Sequence, residues 1–133
     1  MKEIFVETTK REELIDITNL VEEKLEETKI KEGIVHLFTP HATCGLTINE
    51  NADENLPKDI SNFLNGLVKK GIWLHDRIDD NADAHIKTSI IGNSLMIPFK
   101  DNKLKLGTWQ NIFLCEFDGP RKRKVLVSFL EEK

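Results

Sequence analysis

The order of apolar and polar positions along the chain outlines most of its elements. Residues 2–8 alternate well enough to form a strand. Ile17, Val21 and Leu25 then recur every four residues among Glu and Lys, which predicts a helix within 16–28. Thr9 with Glu12, and Asp16 with Thr18, both read as starts for it. Gly33–Thr39 reads as a strand interrupted by Pro40, with a second strand, Cys44–Asn49, close behind. The clearest helical period covers 53–70, where Leu56, Ile60, Phe63, Leu64, Leu67 and Val68 share one face and Gly71 supplies the stop. Residues 76–83 are polar and aperiodic and predict a loop, followed by a helix over 84–91 that ends at Gly92. Asn51-Ala52-Asp53 and Asn81-Ala82-Asp83 read as helix starts, since their side chains can accept the orphan N–H groups. Beyond Gly92 the period shortens. Strands at 95–99 and 104–106 flank the turn Lys100-Asp101-Asn102-Lys103, and strands at 109–117 and 124–130 flank Asp118-Gly119-Pro120. Strands and helices mixed without βαβ spacing predict an α+β fold with antiparallel sheets.

Composition narrows the functional classes. The chain has 133 residues, enough for one core over 1–133 without disulfide or metal staples. A net charge of −4 excludes a chain that is basic overall, as general nucleic-acid binders are. Residues 100–133 do reverse the sign, with eight basic against five acidic side chains, chiefly in Arg121-Lys122-Arg123-Lys124. No aromatics interleave with that run, so no nucleic-acid partner is expected. No stretch approaches the roughly 18 apolar residues of a membrane span, and residues 1–7 lack a signal-peptide core. With only Cys44 and Cys115, the expectation is a cytoplasmic protein with reduced thiols.

Three segments place polar groups inside apolar patterning. In the first, Thr39 to Asn51, His41 and Cys44 stand close enough to bind a metal or form a Cys–His pair, while Cys44 reads equally as an inert packing thiol. In the second, Trp73 to His85, His75 and His85 flank a loop with four aspartates, either a transition-metal site or a solvated acidic loop. His36, within a strand, reads as a sheet-surface residue. The third is Gly107 to Arg121. As a strand it puts Gln110, Ile112, Leu114 and Glu116 on one face and Trp109, Phe113, Cys115 and Phe117 on the other. Glu116 among apolar neighbours is either a general acid or base or the partner of Arg121 or Arg123. Walker, GxGxxG, HExxH and GxSxG motifs are absent.

Taken in order, His41-Ala42-Thr43-Cys44-Gly45-Leu46-Thr47-Ile48-Asn49-Glu50-Asn51-Ala52-Asp53, Asp80-Asn81-Ala82-Asp83-Ala84-His85-Ile86-Lys87 and Gly107-Thr108-Trp109-Gln110 resemble the YjbQ family, also called secondary thiamine-phosphate synthase enzymes. The resemblance runs from about residue 3 to residue 130. It implies a single-domain sandwich of mainly antiparallel strands with two or three helices packed outside, assembled as a homotrimer with polar pockets near the subunit contacts. It also implies weak thiamine-phosphate synthase activity, in which a pyrimidine methyl diphosphate joins a thiazole phosphate and pyrophosphate leaves. The alternative is a non-catalytic trimeric ligand- or metal-binding protein. By position, His41, Asn49, Glu50, His75, His85, Trp109, Gln110, Glu116 and Arg121 match the family's polar motif residues. The resemblance thus assigns catalytic roles to Glu116, Arg121, Gln110, Asn49 and Glu50, and a small phosphorylated molecule as partner. A diphosphate leaving group calls for a cation. His41, His75 and His85 would favour zinc or a similar ion, whereas Glu50, Asp53 and Asp83 would favour Mg²⁺.

Overall fold

The computed structural model describes residues 1–133. Two antiparallel sheets face each other across the main core and curl into a half-barrel sandwich. In chain order the strands are β1 (Lys2–Glu7), β2 (Glu13–Asp16), β3 (Glu32–Phe38), β4 (Cys44–Asn49), β5 (Ser94–Lys100), β6 (Lys103–Leu104), β7 (Asn111–Glu116) and β8 (Lys122–Glu131). The helices are α1 (Thr18–Glu26), α2 (Asn55–Leu67) and α3 (Ala82–Ile91), with a 3₁₀ turn at Leu74–Arg77. The large sheet has the order β1-β8-β3-β5-β6 and the small one β2-β7-β4.

Alternation along the strands creates two apolar clusters. Ile4, Val6, Val35, Leu37, Ile97, Phe99, Val125 and Val127 point inward from the large sheet and meet Cys44, Leu46, Ile112 and Leu114 from the small one. The helix α1 adds Val21 and Leu25 to this core. On the far side of the small sheet, Phe113, Cys115 and Phe117 pack with Leu64 of α2 and Ala84 of α3. The two faces expected of β7 therefore line two different cores. The large sheet's other face has no such cover: Phe5, Phe38, Met96 and Leu130 are exposed there, with His36 between Met96 and Ser128 in the register.

Several expectations shift. The strand β2 lies where the sequence read only a helix approach; its four residues pair with β7 from Glu13 opposite Glu116 to Asp16 opposite Phe113. The helix α1 begins at Thr18, where Asp16 accepts from the Thr18 backbone N–H at 2.9 Å, so Asp16 rather than Thr9 marks the start. Thr9 instead donates to Glu13 through its N–H and hydroxyl. The helix α2 stops at Leu67, short of Gly71, and its buried face is narrower than predicted: Leu64 is covered, but Phe63 and Leu67 lie in solvent. Within the supposed loop 76–83 sits the end of the 3₁₀ turn, and α3 starts at Ala82. Asn81 precedes α3 but makes no capping bond; Asp76 accepts from the Ala82 N–H instead, at 3.0 Å. The turn at Asp101 and Asn102 forms as read, with φ of 53° and 60°, and Asn102 also donates to the Leu25 and Thr28 carbonyls behind α1. No helix is long and apolar enough to cross a membrane.

Candidate functional site

The polar motif residues gather at opposite ends of the small sheet. Asn49, Glu50 and Gln110 lie where β4 ends and β7 begins, next to the Asn49–Asn111 pair. Asn49 and Gln110 are exposed and Glu50 is half-buried, and polar groups here close local turns: Asn49 accepts from the Glu50 N–H and Gln110 from the Gly107 N–H. Trp109 beside them is 64% exposed. Glu116 lies at the other end of β7. Six residues of strand span about 20 Å, so one small molecule cannot touch both ends within a single chain.

At that second end a buried ionic network joins the sheets. Glu116 is fully buried and faces the main core beside Ile112 and Leu114. Its carboxylate accepts from the Thr8 hydroxyl at 2.7 Å, from Arg123 Nε at 2.9 Å and from the backbone N–H groups of Phe117 and Asp118. Arg123 also donates through a terminal nitrogen to the Thr43 hydroxyl at 2.8 Å. Burial opposes the charge of Arg123, but the Glu116 carboxylate more than offsets this and holds its pKa above the ordinary value. Of the two partners expected for Glu116, Arg123 is the one that pairs. The signal lay in the alternation of β8, since Arg123, Val125 and Val127 share the inward face.

Arg121 takes a different course. It is half-exposed, and its guanidinium donates to the Asp118 carbonyl at 2.8 Å and carboxylate at 2.9 Å. Asp118 in turn accepts from Asn81 at 2.8 Å, so Arg121 is tied to the start of α3. Although burial pushes Asp118 upward, the bonds from Asn81 and Arg121 outweigh it and lower its pKa.

The three histidines separate into one and two. His41 Nε2 accepts from the Lys124 N–H at 3.0 Å, which leaves the ring proton on Nδ1. Burial, and then the charge of Arg123, lower its pKa. Two neighbouring cations make this a poor place for a metal ion. His75 and His85, by contrast, touch edge to face with ring centroids 4.8 Å apart. His75 Nε2 is buried without a hydrogen-bond partner and lies 3.7 Å from Asp79 Oδ2. Two imidazoles on one tetrahedral ion have centroids about 5 Å apart, so the pair has a spacing that a shared ion could use. Within the chain no three His, Cys, Asp or Glu side chains are assembled into a cage. The oxygen set suggested for Mg²⁺ is dispersed as well: Glu50 is half-buried and Asp53 exposed, while buried Asp83 binds Arg11 at 3.1 Å.

One buried group escaped the sequence reading. Lys87 of α3 is 1% exposed; its ammonium donates to Glu12 at 3.0 Å and to Asn65, lies 3.8 Å from Asp83 and sits over the Phe117 ring. Only the spacing of Asp83 and Lys87 on one helix face hinted at it. Both thiols are buried, which raises Cys44 to about 11 and Cys115 to about 12. They point into different cores, so the packing reading of Cys44 holds.

An antiparallel sandwich with polar clusters at the ends of its smaller sheet defines the structural class. The chain belongs to the YjbQ/UPF0047 family: the family model described as "UPF0047 protein YjbQ-like" matches residues 2–132. It is 48% identical to a UPF0047 protein of Methanocaldococcus jannaschii, over 96% of this chain and 92% of that one. With the UPF0047 protein YugU of Bacillus subtilis it shares 41% identity, covering 98% of both chains. Among solved structures, a YbjQ-like protein of unknown function from Sulfolobus solfataricus superposes with a TM-score of 0.94 at 40% identity, covering 98% of this chain and 96% of the other. An uncharacterized family member from Clostridium acetobutylicum gives 0.93 at 44% identity, covering 98% and 100%. These comparisons overturn the thiamine-phosphate synthase reading. Relatives this similar are described only by family, and the Sulfolobus structure is that of a protein of unknown function.

Proposed function

We propose that the protein holds a divalent transition-metal ion, zinc or a similar ion, between His75 and His85, and that a small phosphorylated molecule meets this ion in the cytoplasm. The observation that carries the reading is the edge-to-face imidazole pair, with its buried and unpartnered His75 Nε2. Neutral imidazole is a ligand for such ions, and an orphaned buried nitrogen favours a ligand that completes it. Asp79 is the nearest anionic side chain to that nitrogen, and it would have to move in to serve as a third donor, since no three such side chains are assembled into a cage. A bound ion would supply positive charge to a phosphate group. Arg121 would add its guanidinium from the Asp118–Asn81 link at the start of α3.

Elemental analysis of tag-free protein, together with a Co²⁺ titration followed by visible absorption, tests the reading. About one ion per chain and a tetrahedral Co²⁺ band are expected, both lost in His75→Ala and His85→Ala but kept in His41→Ala. Protein that takes up no Co²⁺ or Zn²⁺ beyond the level of the His75→Ala variant refutes it.

We also propose a homotrimer as the working assembly, and a separate observation supports self-association. On the outer face of the large sheet, Ile34 lies opposite both Pro98 and Leu130, and Phe38 lies opposite Leu126. His36 and Ser128 interrupt this face, but Phe5, Phe38, Met96 and Leu130 still expose apolar surface of the kind that marks an interaction site. Light scattering after gel filtration should give three times the chain mass, and Met96→Lys with Leu130→Lys should give monomers. A monomeric wild type would refute this assembly.

A further inference from the structure

A cleft of about 430 Å³ lies between α2 and the segment that leads into β2, away from the histidine pair, and its lining is almost wholly polar. Both walls carry acids and bases, three carboxylates against two ammonium groups in all. Lys10 and Glu12 stand on one side, Glu54 and Lys58 on the other, with Ser61 and Asn62 one helical turn further along α2. Other polar groups there are already occupied: Glu13 accepts from the Thr9 and Lys10 N–H groups, and Asn51 donates to Asp16. Glu12 is different. Arg11 at 2.8 Å and buried Lys87 at 3.0 Å both donate to its Oε1, which fixes the side chain, while Oε2 receives no hydrogen bond. Glu54, just before α2, and Lys58, in its first turn, are four residues apart yet form no ion pair with each other, and Lys10 forms none either.

We propose that this cleft binds a small zwitterion, an amino acid or a phosphorylated amine. Its ammonium group would lie against Glu12 Oε2 and Glu54, and its carboxylate or phosphate against Lys58 and Lys10. A fixed carboxylate with one uncommitted oxygen is a pre-organised acceptor, and charge-assisted bonds to it are among the stronger ones available to a small ligand. A singly charged ligand would satisfy one half of the cleft and leave the other half's like charges facing it. The site therefore selects for both charges in one molecule. The volume falls within the range of small-molecule pockets. This assignment shares no residue with the proposed metal centre.

The test is an amide-resolved NMR titration of the full chain at constant ionic strength. The probes are 4-aminobutyrate and phosphoethanolamine, with propylamine and butyrate as singly charged controls. Saturable shifts at Leu14, Ser61 and Asn62 are expected with a zwitterion, and binding of each control about tenfold weaker or less. Whichever zwitterion saturates first identifies the preferred acid group. Lys58→Ala and Glu54→Gln, both on the solvent side of α2 and clear of the Lys87 cluster, should each weaken binding by about tenfold. His75→Ala should leave it unchanged. The proposal is overturned if neither zwitterion saturates, if a control binds as well as the zwitterions, or if both α2 variants bind like the wild type.

Discussion

Breaking the ion pair between Glu116 and Arg123 gives the sharpest test of how the two sheets are held together. Consider Glu116→Leu. The guanidinium of Arg123, 4% exposed, would keep its bonds to Thr43 but lose its counter-charge, and the Asp118 N–H would lose its acceptor, while Thr8 and the Phe117 N–H would keep the Arg121 and Thr43 carbonyls. Removing one member of a buried pair costs about 3–5 kcal/mol, because the remaining charge stays desolvated. Against a total stability of about 5–15 kcal/mol for a domain, that is a large share. At this chain length it corresponds to a fall in Tm on the order of 10–20 °C. Arg123→Met should cost about as much, since the same pair is broken from the other side. The double variant should be less damaging than the sum of the two, because no lone charge remains. Full recovery is not expected, because the Thr43 hydroxyl and the Asp118 N–H would still lack their partners. The assay is urea unfolding of the four proteins at one fixed chain concentration, read as a double-mutant cycle. A coupling of at least about 2 kcal/mol is expected. Strictly additive losses, or single variants within about 1 kcal/mol of wild type, would refute the claim that this pair is desolvated and mutually dependent.

Other consequences are more local. His41 is held below its ordinary value of 6.5 by burial and by Arg123, so the unfolded chain binds its proton first as pH falls. The stability it contributes is therefore complete above about pH 6.5 and drains away below it; between about pH 7.5 and 5.5 the urea midpoint of wild type should fall further than that of His41→Gln. An equal fall in both would remove His41 from the account. A Cβ at Gly119 would come within 2.2 Å of the Lys10 carbonyl oxygen and 2.8 Å of Glu116 Cγ and Thr8 Oγ1. Gly119→Ala should thus cost about 1–3 kcal/mol or more in chemical denaturation, and a neutral result would mean the turn has room to move. Cys44 and Cys115, pushed up to about 11 and about 12, should resist a thiol reagent near neutral pH and react only once urea is added. Rapid labelling of the native protein would contradict their burial.

How far the sequence foretold this structure depends on the range of the interactions involved. Cys44–Asn49 and the turn at Asp101-Asn102 form as read, because alternation and turn chemistry are local. The strand β2 is invisible in its own sequence: Glu-Leu-Ile-Asp is short and flanked by charge, and only hydrogen bonds to β7, about a hundred residues away, make it a strand. The overreach at α2 has the same origin. Six apolar positions fit one helical face, but the second core is too narrow to take Phe63 and Leu67 as well as Leu64. Among polar groups, the burial of Glu116 and the inward side of Arg123 could be read from strand parity, but the choice of Arg123 over Arg121 could not, since the two share that parity and only the start of β8 at Lys122 separates them. Lys87 could not, because Glu12 and Asn65 reach it from other elements. The contact between His75 and His85 lies between: ten residues separate them, and only the 3₁₀ turn folding back on α3 closes the gap.

Because β7 serves as a wall for two rooms at once, it has no side on which the protein can vary. Ile112 and Leu114 fill one core, Phe113 and Cys115 the other, so successive positions answer to different sets of neighbours. Inserting or deleting a single residue would exchange the two sets and spoil both. Change is therefore easier to accommodate outside β7 than within it.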